Sequence, residues 1–548
     1  MGQSAHPSSL GPIRWEALYE QRVERCYAHR LRSLHALLET AAQRNPKGVA
    51  LVLESERLSW QDLHDQAARL AWGMQAQGIA RGDRVAMLLG NRIEFVVTLF
   101  AVARLGAIAV PINIREQAPG LAYMLQHCGA SLLVHEPDLV DRLPSAEQAP
   151  ALRHRWQVGA AQAAQGSTRW SDHLGTTADI TPATEVDEQD TAVILYTSGT
   201  TGRPKGAMLT HLGIVHSSMH YVEAMGLTEQ DCTITAVPLS HVTGLVALVT
   251  TFALCAGKLI IQPAFKASDF LRLAAQEHMT HSLMVPAMYK LCLIDASFNP
   301  TALKAWRIGG YGGAPMPVQV IEDLAKSLPW LALMNCYGST ETTSPSTLMP
   351  KGDQSRPDSV GKPLPCVQMS VMDDEGRELP WGEMGEIWIK GPMVVPGYWN
   401  NPEASAEAIV GGWWRSGDLG TMDQDGYVRV LDRKKDMINR GGSKIYTIEV
   451  ENALYEHPAV QEAAVVAKPC PVLGERVHAW VCLREPVDEA TLKAHCAARL
   501  SDYKVPETYS LQDTPLPRNA NGKLLKREMR DRVLAPDSTP TPSQGGRS

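Results

Sequence analysis

Apolar and polar positions alternate along this chain in two rhythms that take turns. In "SWQDLHDQAARLAWGMQAQG", residues 59–78, apolar side chains return every third or fourth position. That spacing predicts a helix ending at Gly78. "RVAMLL" follows as a short apolar run, a buried strand. "NRIEFVVTLFAVARLG" predicts a second helix and "AIAVPI" a second strand. The alternation continues through "SLLVHE", "TAVILYT", "TITAVPL" and "KLIIQP". Strands separated by helices predict a layered α/β architecture with largely parallel sheets. Residues 144–186, rich in Ala, Gln and Thr, carry little pattern and are expected to be a variable peripheral segment. No internal repeat is found.

The texture changes at "YVRVLDRKKDMINRGG", where a strand pattern runs into a block of charges and then two glycines. Such segments suit domain joints. Beyond it, "TIEVENALYEH" predicts a helix, "VQEAAVVA" and "RVHAWVCL" strands, and "DEATLKAHCAARL" a helix. This is the pattern of a small α+β domain. The tail "APDSTPTPSQGGRS" is rich in Pro, Ser and Gly, and is expected to be disordered. The expected organisation is an N-terminal extension (1–30), a large domain (31–434), a small C-terminal domain (435–535) and a tail (536–548).

Composition narrows the class. A chain of 548 residues exceeds a single core. With 44% hydrophobic and 20% charged residues, it reads as a soluble globular protein. A net charge of −7 argues against a broad nucleic-acid surface, while a locally basic site can still take a small anion. Ten cysteines are scattered singly, without C-x-x-C pairs or metal-like spacing with histidine. Reduced thiols in the cytoplasm are expected. The first residues show no secretory pattern, and His6 stands where a myristoylation signal has Ser or Thr. The apolar stretch "TGLVALVTTFALCAG", residues 243–257, is too short to span a membrane and reads as a buried helix. No transmembrane segment is expected, and peripheral membrane contact stays open.

One stretch carries candidate chemistry. "YTSGTTGRPKGAMLTH", residues 196–211, gathers three glycines, several hydroxyls and Lys205 directly after the apolar "TAVIL". Glycines bring backbone N–H groups close to a ligand, and hydroxyls with a lysine suit phosphate oxygens. The stretch reads as a polyphosphate cradle, although its glycine spacing departs from G-x-x-x-x-G-K-[ST]. A Gly/Thr-rich surface turn is the alternative.

With "YGSTETT", "GWWRSGDLG", "DRKKDMINRGGSKI" and "NANGKLLKR" following in order, the chain resembles the adenylate-forming superfamily over roughly residues 30–530. That superfamily includes acyl-CoA and aryl-CoA synthetases, firefly-type luciferases and peptide-synthetase adenylation domains. The resemblance implies that ATP, Mg²⁺ and coenzyme A serve a reaction in which a carboxylic acid becomes an acyl-AMP and then a thioester. It implies that Thr197, Ser198, Gly199, Thr200, Thr201, Gly202 and Lys205 hold the departing pyrophosphate. Glu341, with Thr197, would hold Mg²⁺, a hard cation preferring oxygen, and Thr340 would lie at the α-phosphate. Tyr337 would stack on adenine, with Gly338, Gly312, Gly313 and Ala314 nearby. Asp418 would bind the ribose hydroxyls, and Arg433 ribose or phosphate. On the residues alone, Glu341 reads as a solvated charge and Asp418 with Arg433 as a structural ion pair. Lys523 would neutralise charge during adenylation, though a solvated basic turn is the alternative.

By the same resemblance the small domain rotates about a hinge at Lys435, and Gly441 and Gly442 then border a pantetheine tunnel. Many relatives carry proline where Thr447 stands, which puts only the local loop shape in question. The acyl pocket would be lined by His220, His241, Val242, Gly312, Gly338 and Thr343. A packing histidine is the alternative for His241. No Asp, Glu or Arg occurs between Thr233 and Gln262, which favours an apolar aliphatic or aromatic monocarboxylate. An acyl-CoA or aryl-CoA ligase is therefore expected. The expected partners are the acid, ATP and coenzyme A, with room for a homodimer. One rival loads a carrier-protein pantetheine, but such ligases carry an insertion after the hinge, and none separates Lys435 from Gly441. Nothing marks a luciferase-like oxygenase. A non-catalytic nucleotide-binding regulator is disfavoured by Lys205, Glu341 and Lys523.

Overall fold

The computed structural model describes residues 11–159, 162–176, 182–197, 203–314, 316–353, 355–518 and 524–534. The chain divides into two compact units, Met1–Ser416 with Thr421–Arg429, and Gly417–Gly420 with Val430–Ser548. The first is layered α/β and the second a smaller α+β unit, the fold class expected from the sequence.

In the larger unit one sheet has seven strands, in the order Lys205–Thr210, Thr191–Thr197, Ile108–Ile112, Arg84–Leu88, Leu132–His135, His154–Gln157, Thr168–Arg169. All its pairs are parallel except the first. Its inner strands read as unbroken apolar runs because both faces are covered; Val85, Ala86 and Met87 are all fully buried. The helix Trp60–Ala76 opens with a reciprocal cap between Ser59 and Asp62. Within 144–186, expected to be a peripheral segment with little pattern, His154–Gln157 and Thr168–Arg169 instead extend the sheet at its edge. Short edge strands with polar residues leave no periodic signal.

The second sheet has nine strands, in the order Lys362–Pro363, Thr347–Leu348, Ala332–Tyr337, Ile308–Gly312, His281–Met284, Cys232–Thr235, Lys258–Ile261, Val49–Leu53, Glu56–Ser59. Phe270, Tyr289, Trp306 and Leu328 fill the core beside it. The apolar stretch 243–257 is a buried helix, as its length required. It begins as a π-helix over Thr243–Thr250 and continues as an α-helix over Thr251–Cys255.

Residues 13–27 form a separate hairpin, Ile13–Leu18 against Arg22–Tyr27. Two strands alone are marginal in water, and side chains fasten this pair to the larger unit. Arg30, its side chain fully buried, bonds Glu16 at 2.6 Å and Glu188 at 2.7 Å. The Tyr19 hydroxyl lies 2.9 Å from Thr210 Oγ1. Arg22 donates to the carbonyls of Val394, Val395 and Pro396 at 3.1–3.2 Å.

In the smaller unit, Val460–Cys470 pairs with Gly474–Leu483, and alternate side chains face two cores. Ala463, Val465 and Ala467 meet Val450 and Leu454 of the helix Thr447–Tyr455 and Leu492 of the helix Glu489–Ala497. Ala464 and Val466 meet Met529 of the helix Lys526–Leu534. This is the period-two rhythm of a strand covered on both faces. Among the described residues no helix is long and apolar enough to cross a membrane, and all ten cysteines are buried free thiols.

Candidate active site

The glycine-rich stretch joins two antiparallel strands, Thr191–Thr197 and Lys205–Thr210, and the register sets Thr197 opposite Lys205. The Thr197 hydroxyl donates to the Lys205 carbonyl at 3.4 Å. Both ends of the stretch are therefore held side by side. Ser198, Gly199, Thr200, Thr201 and Gly202 lie outside the described residues. Lys205 Nζ stands 5.3 Å from the centroid of the Tyr398 ring. The backbone around Tyr398 is bonded to the same strand: Trp399 N–H donates to the Gly206 carbonyl at 2.7 Å, and Met208 N–H to that of Gly397 at 3.1 Å.

The strand Ala332–Tyr337 runs into a tight turn. Ser344 N–H returns to the Ser339 carbonyl and Thr343 N–H to that of Thr340, each at 3.0 Å. The turn holds Glu341 at 8% exposure. One carboxylate oxygen accepts from the Ser339 hydroxyl at 2.5 Å, the other from the Tyr398 hydroxyl at 2.9 Å. Burial, then the adjacent negative charge, pushes the Tyr398 phenol well above its ordinary range, so it stays a donor. Thr340 and Tyr337 are half-buried nearby in the chain, Tyr337 paired with Thr347. Each Glu341 oxygen accepts one hydrogen bond and keeps a lone pair. A carboxylate and the Thr197 hydroxyl are the hard donors that Mg²⁺ prefers. Among the described residues no group of three His, Cys, Asp or Glu forms a metal cage.

The residues expected around the acyl group come from several elements of the larger unit. His241 Nδ1 accepts from the backbone N–H of Thr243 at 3.3 Å, and Val242 is buried beside it. On the helix His211–Met225, Ser218 contacts Thr250 and Tyr221 contacts Ser344. His220, buried on the same helix, lies 5.8 Å from the Tyr27 ring, and burial lowers its pKa to about 4. The Thr343 hydroxyl is committed to the Met393 carbonyl at 2.7 Å. A Cβ at Gly312 would lie 2.3 Å from the Cys336 carbonyl oxygen, and one at Gly338 3.0 Å from the Pro345 Cα. The Cys336 carbonyl leaves no room for a side chain at Gly312, whereas at Gly338 the neighbouring backbone would have to give by a few tenths of an ångström. Gly313 and Ala314 are exposed on the loop that follows.

In the smaller unit Arg433 Nε lies 2.7 Å from Asp418 Oδ1, the ion pair that the residues alone suggested. The Lys435 carbonyl accepts from Arg530 at 3.3 Å. Gly441 and Gly442, at φ 58° and 91°, form the turn of the hairpin Ile438–Arg440 and Ser443–Ile445. Two successive positive φ values account for both glycines. Thr447 begins its helix as expected, and its N–H and hydroxyl both donate to Asp432. Lys526 Nζ reaches Thr447 Oγ1 and Glu451, each at 2.7 Å. Lys523 lies outside the described residues. Sequence reasoning missed Tyr398, Ser339 and this Asp432–Thr447–Lys526–Glu451 network. The aromatic doublet after Gly397 was the available signal for the first.

A phosphate-type hairpin, an oxygen-rich carboxylate turn and a small C-terminal α+β unit define an adenylate-forming type of enzyme. The chain belongs to the AMP-binding enzyme family: the family pattern matches residues 38–399, and that of the AMP-binding enzyme C-terminal domain matches residues 449–523. It is 35% identical over 496 residues to feruloyl-CoA synthase of Amycolatopsis sp, covering 90% of this chain and 97% of that one. It is 32% identical over 533 residues to the fatty acid–[acyl-carrier-protein] ligase ScoC of Streptomyces coeruleorubidus, covering 93% and 98%. The o-succinylbenzoate CoA synthetase of Bacillus subtilis, solved with its acyl-adenylate intermediate, superposes with a TM-score of 0.80 at 29% identity, covering 92% and 99%. The same enzyme is also solved with ATP and magnesium ion.

Proposed function

We propose that this protein is an AMP-forming acid–thiol ligase that joins an apolar aliphatic or aromatic monocarboxylate to coenzyme A through an acyl-adenylate. The observation that carries the reading is the meeting of Lys205, Glu341 and Tyr398 beside the hairpin whose register sets Thr197 opposite Lys205. A carboxylate acylates a thiol badly because its oxygen leaves badly, and joining that oxygen to AMP makes AMP the leaving group when a thiol attacks. In the first step two anions approach, so charge must be neutralised and the attack aligned. Lys205 and Thr197, with the glycine-rich stretch, would bind the β- and γ-phosphates. Glu341 and Thr197 would hold Mg²⁺, which supplies further positive charge when bound. Thr340 would contact the α-phosphate and Tyr337 the adenine.

Asp418, Arg433 and Lys523 take their roles from the family resemblance, as do hinge Lys435 and the Gly441–Gly442 turn. His241 and Val242 remain the candidates for the mouth of the acyl site. The names of relatives support aryl and fatty acids alike. Ten free thiols support a cytoplasmic setting.

Pyrophosphate release across a panel of carboxylic acids, with and without coenzyme A, tests the proposal. AMP and pyrophosphate are expected as products, with thioester only when coenzyme A is present. ADP and phosphate would refute it. The similarity to ScoC favours a second reading, in which a carrier-protein pantetheine is the acceptor. Turnover with a phosphopantetheinylated carrier but not with coenzyme A would establish that one.

A further inference from the structure

Tyr398 lies outside the motifs that carry the family resemblance, yet three observations converge on it. Its hydroxyl, on a residue 7% exposed, donates to Glu341 at 2.9 Å. Its ring receives Lys205 Nζ at 5.3 Å. Its backbone bridges to Ala207, two residues beyond that lysine. Glu341 and Lys205 belong to segments of different sheets, the nine-stranded and the seven-stranded. Tyr398 touches both.

We propose that Tyr398 is a positioning residue for adenylation: its hydroxyl orients the Glu341 carboxylate toward the metal ion accompanying ATP, and its ring orients Lys205 toward the phosphates. The physical need is clear on both sides. A carboxylate on a turn can rotate; donors on both oxygens, Ser339 and Tyr398, fix its plane and leave outer lone pairs for a cation. A lysine is a point charge on a flexible stem. A ring face below the ammonium narrows its range without consuming its N–H donors. The proposal rests on the assignment of Glu341 to the metal, and the test separates the two.

Calorimetric titration of Mg²⁺·ATP and of AMP into wild type, Tyr398→Phe, Glu341→Gln and the double variant provides that test. Tyr398→Phe keeps the ring and loses the donor. It should bind Mg²⁺·ATP roughly tenfold more weakly, since the lost bond was to a charged group, while AMP binding stays unchanged. The double variant should bind no more weakly than Glu341→Gln, because both changes act through one carboxylate. Tyr398→Leu, titrated with ATP in EDTA, should bind more weakly than Tyr398→Phe, reporting the loss of the ring beneath Lys205. Wild-type affinity for Mg²⁺·ATP in Tyr398→Phe would overturn the proposal. So would an equal loss for AMP, or losses that add in the double variant, or equal ATP affinity in the Leu and Phe variants. Unchanged Mg²⁺·ATP binding by Glu341→Gln would remove the metal assignment itself, and this proposal with it.

Discussion

Glu24 offers a sharp test of burial energetics in the N-terminal hairpin. Its side chain is 1% exposed, and among the described residues neither carboxylate oxygen has a hydrogen-bond partner. Burial raises its pKa from an ordinary 4.5 to about 7, against the weaker opposing pull of Lys390 and Arg22. Each factor of ten in acidity is worth about 1.4 kcal/mol. The folded state therefore loses about 3 kcal/mol once this group must ionise. The sign follows from proton binding. Below pH 4.5 both folded and unfolded chains hold the proton, and stability is unaffected. Between 4.5 and about 7 the unfolded chain releases it first, so stability falls as pH rises, and above 7 the full penalty applies. Glu24→Gln keeps the shape and removes the charge. It should stabilise the protein by about 3 kcal/mol at pH 8, about 2 at pH 6 and under about 1 at pH 5. Urea midpoints of both proteins across that range, at matched slopes, measure the difference. A benefit independent of pH, or none at pH 8, would refute the reasoning.

Gly312→Ala should destabilise the larger unit by about 1–3 kcal/mol or more through the clash with Cys336, while leaving the order of preference across an acid panel unchanged; thermal unfolding and relative kcat/KM values read the two effects. Lys526→Met should leave Glu451 buried without its cation and destabilise the smaller unit by about 3–5 kcal/mol, visible as a lowered calorimetric transition. Lys523→Ala should slow acyl-AMP formation about 10²–10³-fold, yet convert supplied acyl-AMP and coenzyme A to thioester at near the wild-type rate in single turnover.

The elements were legible where periodicity was strong. The helix Trp60–Ala76 and the strands Arg84–Leu88 and Ile108–Ile112 follow from their apolar spacing. The strand "TITAVPL" ran shorter than its apolar content suggested, closing at Thr235 ahead of Pro238. The edge strands within 144–186 escaped because their residues are mixed and few. The hairpin around Lys205 was visible as a motif, since all its residues are contiguous. The contact of Glu341 with Tyr398 spans 57 positions and was not. No local pattern encodes such a pairing. Gly312 carries a constraint that its sequence position does not reveal: a Cβ there would meet the Cys336 carbonyl of the neighbouring strand.

The guanidinium of Arg22 reaches three consecutive carbonyls just before Tyr398, and it comes from a hairpin preceding the family match at residue 38. Trimming the polypeptide to that boundary, or swapping the front of one homologue onto another, would discard a brace whose place in the chain gives no hint of its use. Homologous grafts should therefore carry residues 13–30 together with 391–399 as a matched pair.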